Sequence, residues 1–121
     1  GLGDVYKRQV FPVSVDPQNG RTILETIEAL RRSCGPAIHF APGLSNISYG
    51  MPNRKLINQV FTCLCIQKGL DGGIVDPLQI NEASLAGLNE NSEGFRLTRD
   101  FLLGEDKYGM NYISAVRAGR I

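Results

Sequence analysis

Three polar residues recur at one interval: Asp16, Asn46 and Asp76 stand 30 positions apart, each just past a short apolar run. The tripeptide Val-Asp-Pro occurs at both ends of the series, beginning at Val15 and Val75. A carboxylate can accept from two donors on one edge of a flat heterocycle, a bidentate arrangement that fixes orientation. A neutral amide such as that of Asn46 can hydrogen-bond a centre whose charge changes during a reaction, without being a proton donor of suitable pKa. Each residue also has an everyday role. Asp-Pro opens turns, and Asn among Gly, Ser and Pro caps them. Residue type alone leaves both readings open.

The thiols offer less. Cys34, Cys63 and Cys65 are odd in number and have no framework spacing, which favours free thiols in a reducing compartment. Cys63-x-Cys65 falls inside an expected helix, where a two-residue step turns about 200° and sends the side chains to opposite sides. His39 is the sole histidine, so no Cys/His cluster supports a metal site.

The elements that would position these residues follow from periodicity. Val10 to Val15 is short and β-branched and is followed by Asp16-Pro17, so it predicts a strand and a loop. Ile23, Leu24, Ile27 and Leu30 repeat at helical spacing over 21–33, with Glu28 placed to pair with Arg31 and Arg32. Gly35-Pro36 stops that helix. Ala37 to Leu44 predicts a second strand, leading into a Gly/Ser/Asn/Pro-rich loop over 43–53. Asn53 is positioned to cap a helix over 54–68, whose apolar face is Leu56, Ile57, Val60, Phe61 and Leu64 and which Gly69 ends. Gly72 to Val75 predicts a third strand. Beyond it, helical pieces are expected over 82–88, 95–103 and 111–118. Strand–helix alternation argues for parallel strands with right-handed crossovers. About 30 residues is one βα unit, and eight such units close a barrel with its catalytic residues at one mouth. The expected fold class is therefore α/β, the C-terminal part of a TIM (β/α)8 barrel comprising about three βα units.

Composition bounds the function. With 121 residues, 13 basic and 12 acidic side chains and a formal charge of +1, the chain carries no electrostatic footprint for nucleic acid or an anionic membrane. No apolar run approaches the roughly 20 residues that span a bilayer. A soluble, cytoplasmic protein is expected.

Gly43-Leu44-Ser45-Asn46-Ile47-Ser48, then Asn53-Arg54-Lys55-Leu56-Ile57-Asn58, then Gly69-Leu70-Asp71-Gly72-Gly73-Ile74, resemble the methyltetrahydrofolate:corrinoid/iron–sulfur protein methyltransferases. The same motifs are similar to the folate-binding domain of cobalamin-dependent methionine synthase. Both belong to the pterin-binding barrel superfamily that includes dihydropteroate synthase. The resemblance covers about residues 10 to 80 and implies that the three strands are the sixth, seventh and eighth of a barrel. Residues 10–121 would then be a partial pterin-binding domain. Residues 1–9 resemble a translated adapter remnant and are expected to be a non-native leader.

The implied chemistry is transfer of the methyl group of 5-methyltetrahydrofolate, the donor, to the cob(I)alamin carried by a partner corrinoid protein. By the resemblance, Asn46 is catalytic and hydrogen-bonds the reacting nitrogen. Asp16 holds the pterin edge, Gly43 and Ser45 line the ring, Arg54 lies near it and Ile74 lies under it. The full-length form is expected to be a homodimer. Tyr49-Gly50-Met51-Pro52 departs from the iron–sulfur-protein enzymes and leaves the partner open; methyltransferases of anaerobic demethylation systems are closer analogues. A dihydropteroate synthase-like enzyme is the nearest rival, disfavoured because Ser45-Asn46-Ile47-Ser48 and Gly73-Ile74-Val75-Asp76 lack its motifs. A catalytically inert barrel fragment is the rival of another class.

Overall fold

The computed structural model describes residues 5–6, 11–35, 39–40, 44–69, 80 and 82–121. Five helices account for most of them: α1 (Asn19–Cys34), α2 (Arg54–Gln67), α3 (Glu82–Ala86), α4 (Glu93–Leu102) and α5 (Met110–Arg117). Among the described residues the strands are β1 (Val5–Tyr6) and β2 (His39–Phe40), paired in parallel with Val5 opposite His39.

Helix α2 is the centre of the packing. Ile57, Val60, Phe61, Leu64 and Cys65 are buried on it, and Asn58 and Thr62 are buried beside them. A helix with this much of its circumference covered needs neighbours on several sides. α1 supplies Ile23, Leu24 and Ile27, and α4 supplies Phe95, Phe101 and Leu102. Backbone approach is close where α1 begins: a Cβ on Gly20 would run into the Leu102 carbonyl, so only glycine fits there.

Polar groups fix the helix ends. The guanidinium of Arg31 donates through Nε and Nη2 to the Gly69 carbonyl, at 3.1 and 2.8 Å, and through Nη1 to the Gly35 carbonyl at 2.9 Å. One cation thereby serves the C-terminal ends of both α1 and α2, where the helix dipoles favour it. Glu28 meets Lys68 at 3.1 Å and Arg32 at 2.9 Å, and the Lys68 hydrogen bond foremost holds its carboxyl below the ordinary range. The expected Glu28–Arg32 pair is present; Arg31 is engaged at the carbonyls instead. Asn53 stands at the cap position of α2 as expected, but in a left-handed conformation (φ 51°) and with no side-chain cap bond. Ser92 caps α4 through the Phe95 N–H.

These findings correct the expected fold class. The described residues form a helical assembly with one two-residue strand pairing, and not a run of βα units from a TIM barrel. The physical reason is visible at Pro12. Proline has no N–H for a ladder, and its carbonyl accepts from the N–H groups of Val15 and Asp16, closing a turn over residues 13–15. Of the expected strand over 37–44, His39–Phe40 is strand and Leu44 opens the 3-10 turn Leu44–Ser48; the other positions lie outside the described residues. The expected strand at Gly72–Val75 lies outside the described residues. Both α1 and α2 stand where periodicity placed them.

Candidate functional site

Two short turns carry the candidate polar residues, and hydrogen bonds stitch the turns together. The Val13 N–H donates to the Ile47 carbonyl at 3.1 Å, and the Ser14 hydroxyl donates to the Tyr49 carbonyl at 2.6 Å. Asp16 leads out of the first turn and Asn46 lies within the second. Both are exposed. Asp16 and Asn46, 30 apart in sequence, thus sit on segments held side by side, at turn positions and not at strand ends, while Asp76 lies outside the described residues.

Asp16 is locally anchored. Its Oδ1 accepts the Gln18 N–H at 2.9 Å, an Asx turn that aims the chain into α1. Asn19 steadies the same corner by donating from Nδ2 to the Pro12 carbonyl at 2.8 Å. The turn-opening role of Asp-Pro is therefore real, and it coexists with an exposed carboxylate. Asn46 is set in the 3-10 turn Leu44–Ser48, its carbonyl accepting from the Tyr49 N–H at 3.2 Å.

Arg54 reaches that turn through an intermediary. Its Nε donates to the Ser48 hydroxyl at 2.9 Å, and the Ser48 hydroxyl donates to Asn58 Oδ1 at 2.7 Å. Ser48 is fully buried, so this chain ties the start of α2 to the Asn46 turn from beneath. The sequence contained the signal: Asn58 is a polar residue on the apolar face between Ile57 and Phe61, and such a residue needs a buried partner. Ser45 is in the same 3-10 turn, its side chain outside the described residues, as are Gly43 and Ile74. The structure therefore brings Asp16, Asn46 and Arg54 onto one connected set of turns, with Ser48 as the missed link.

Beside the Asp16 turn is a cleft of about 160 Å³, lined by Val13, Ser14, Val15, Pro17, Met51, Phe101 and Tyr108. Its far wall comes from the C-terminal third of the chain, which periodicity could not place against the first turn. That wall is fixed from below. The Tyr112 ring stacks on Phe101, centroids 5.3 Å apart, and its hydroxyl lies within hydrogen-bonding distance of the Pro52 and Asn53 carbonyls, at 2.8 and 3.1 Å. Asp106 is buried and accepts from the Asn111 and Tyr112 N–H groups at 3.1 and 2.9 Å, capping α5. Burial raises the Tyr112 phenol above its ordinary pKa.

The thiols on α2 lie apart from these turns in character. Cys65 is fully buried in the core, where desolvation pushes its pKa up to about 12. Cys63 is half-buried, and its thiol is raised by desolvation and then by the nearby Glu90 carboxylate. Neither is poised as a thiolate nucleophile. No helix among the described residues is long and apolar enough to cross a membrane.

With this geometry in place, the relatives can be compared. The chain is 38% identical over 112 residues to methylcorrinoid:tetrahydrofolate methyltransferase of Eubacterium limosum, a match covering 93% of this chain and 37% of that protein. It is 43% identical over 61 residues to methionine synthase of Mycobacterium leprae (strain TN), covering 47% of this chain and 5% of the relative. The methionine synthase of Mycobacterium tuberculosis (strain ATCC 25618 / H37Rv) is 39% identical over 67 residues, covering 52% and 6% respectively. No protein-family profile matches the chain. The resemblance carried by the Gly-Leu-Ser-Asn, Asn-Arg and Gly-Leu-Asp motifs therefore holds, and it extends beyond residue 80. The chain spans little more than a third of the first relative and about a twentieth of the methionine synthases.

Proposed function

We propose that this chain supplies part of the substrate site of a methyltransferase that moves a methyl group between tetrahydrofolate and a corrinoid carried by a partner protein. The observation that carries the reading is the 38% identity along 93% of the chain to a protein of that name. The stitched turns bearing Asp16 and Asn46 support it, since they offer a carboxylate and an amide on adjoining segments.

The relative's name writes transfer from the methylcorrinoid to tetrahydrofolate, the reverse of the direction that the sequence resemblance implies. One transition state serves both directions, so the demands on the site are the same. In the written direction the cobalt–carbon bond breaks and its electron pair stays with cobalt, leaving cob(I)alamin. The folate nitrogen uses its lone pair to form the new bond to carbon and then releases its N–H proton. Positive charge builds on that nitrogen at the crossing. The Asn46 carbonyl oxygen would accept from the N–H and stabilise that charge without itself taking the proton. In this reading Asp16 holds the donor edge of the pterin, Gly43 and Ser45 allow close approach, Arg54 frames the entrance and Ile74 packs under the ring.

The test is single-turnover methyl transfer by the intact protein, followed by the visible absorbance of the corrinoid. Asn46→Ala should slow transfer by about 10²–10³, the loss typical of one such hydrogen bond. An unchanged rate removes Asn46 from the reaction.

A further inference from the structure

We infer that Ser48, held between Arg54 and Asn58, is a positioning residue for methyl transfer: it fixes the direction in which the Asn46 amide is presented. The inference rests on the methyltransferase reading, and it names what holds that amide in place.

The buried hydrogen-bond chain runs one way. Arg54 Nε carries a proton and no lone pair, so at 2.9 Å from the Ser48 hydroxyl it is the donor. Asn58 Oδ1 can only accept, so the hydroxyl sends its proton there across 2.7 Å. A charged donor at the head of such a chain strengthens the bond that follows it. Ser48 is fully buried and Asn58 is buried on α2, so bulk water does not reach the serine oxygen.

The geometry of the turn converts that anchor into an orientation. Leu44–Ser48 is a 3-10 turn, in which successive side chains lie about 120° apart. Leu44 and Ile47 are one turn apart, so they eclipse each other, and both are buried. Together they give a single line of apolar anchorage, about which the turn could rock. Ser48 lies off that line, and its two bonds stop the rocking. Asn46, on the remaining side, is exposed and faces away from the anchors.

Stability alone does not call for this pair. Exchanging both members of a buried polar pair for apolar groups of the same shape is close to neutral. What the pair adds is direction, and direction matters at Asn46. A hydrogen bond to a reacting nitrogen depends on alignment, and a misplacement of about 1 Å costs about 10²-fold in rate.

The test is a mutant cycle on the intact protein, read by single-turnover methyl transfer at saturating folate and by calorimetric titration with tetrahydrofolate. Ser48→Ala should slow transfer about ten- to hundredfold and leave folate affinity within about twofold of the wild type. Added to Asn46→Ala, it should cost no more than about twofold further, because residues that act as a unit are not additive. Ser48→Ala leaves Asn58 Oδ1 without its buried donor, so the pair variant Ser48→Ala/Asn58→Leu, which removes both polar groups, runs beside it. The pair variant should unfold in urea close to the wild type and still transfer slowly. Four results overturn the inference and leave the methyltransferase reading standing: an unchanged rate in Ser48→Ala, an equal cost of Ser48→Ala in both backgrounds, a fall in affinity that matches the fall in rate, or a pair variant that regains its rate or does not fold. Absence of transfer by the wild type overturns that reading with it.

Discussion

At Asp16 one carboxylate oxygen already accepts the Gln18 N–H at 2.9 Å, and the side chain as a whole faces solvent. An asparagine there keeps an acceptor for the turn but presents an amide N–H₂ in place of the second acceptor oxygen. Asp16→Asn should therefore leave the denaturation midpoint within about 0.5 kcal/mol of the wild type, as expected of surface substitutions. Folate affinity should fall by roughly tenfold or more, because a charged hydrogen bond to a ligand contributes about 1.5–3 kcal/mol. Parallel calorimetric and urea titrations of the intact protein check both halves. A loss of stability with unchanged affinity would make Asp16 a turn residue only. At this scale the sequence was a fair guide to which residues share a region: Asp16, Asn46 and Arg54 do lie on connected segments. It could not show Ser48, because its value depends on Asn58 being turned inward ten residues away.

The helices were legible because their apolar repeats are long and uninterrupted, as at Ile23, Leu24 and Ile27 and again at Ile57, Val60, Phe61 and Leu64. β-branched composition over 11–15 does not make a strand, because the missing N–H and turn-closing carbonyl of Pro12 decide the backbone there. The start of α5 was also hidden. It depends on Asp106, six residues before Tyr112, across two left-handed residues that break the usual capping spacing. Asp106→Ala leaves two N–H groups at that helix start without their acceptor and should cost about 1–3 kcal/mol. Asp106→Asn can satisfy one of them and should lose less. Urea denaturation ranks the two variants. Equal stability of Asp106→Ala and wild type would show that the carboxylate does not organise the loop.

For the molecule as a whole, the core contains two acids that folding keeps neutral. Burial raises Cys65 from 9.0 to about 12 and raises Tyr112 above 10.0. A raised pKa means that the folded state holds its proton more tightly than the unfolded chain. Stability from these groups is therefore complete below about pH 9 and is lost as pH climbs toward the folded-state values. Between pH 9 and 12 the unfolded chain ionises Cys65 while the native core does not. Each pH unit in that window then costs about 1.4 kcal/mol from this one thiol. Tyr112 steepens the fall above pH 10, where its hydroxyl is still committed to the Pro52 and Asn53 carbonyls in the native state. Guanidinium denaturation at pH 8, 9, 10 and 10.5 should show the midpoint dropping progressively above pH 9. Cys65→Ala should lower stability at pH 8, because it leaves a small cavity in the core, and yet flatten the slope between pH 9 and 10. A variant with the wild-type slope would mean that Cys65 ionises as freely in the fold as out of it. That outcome would contradict a packed core around α2, because burial there is the cause of the shift.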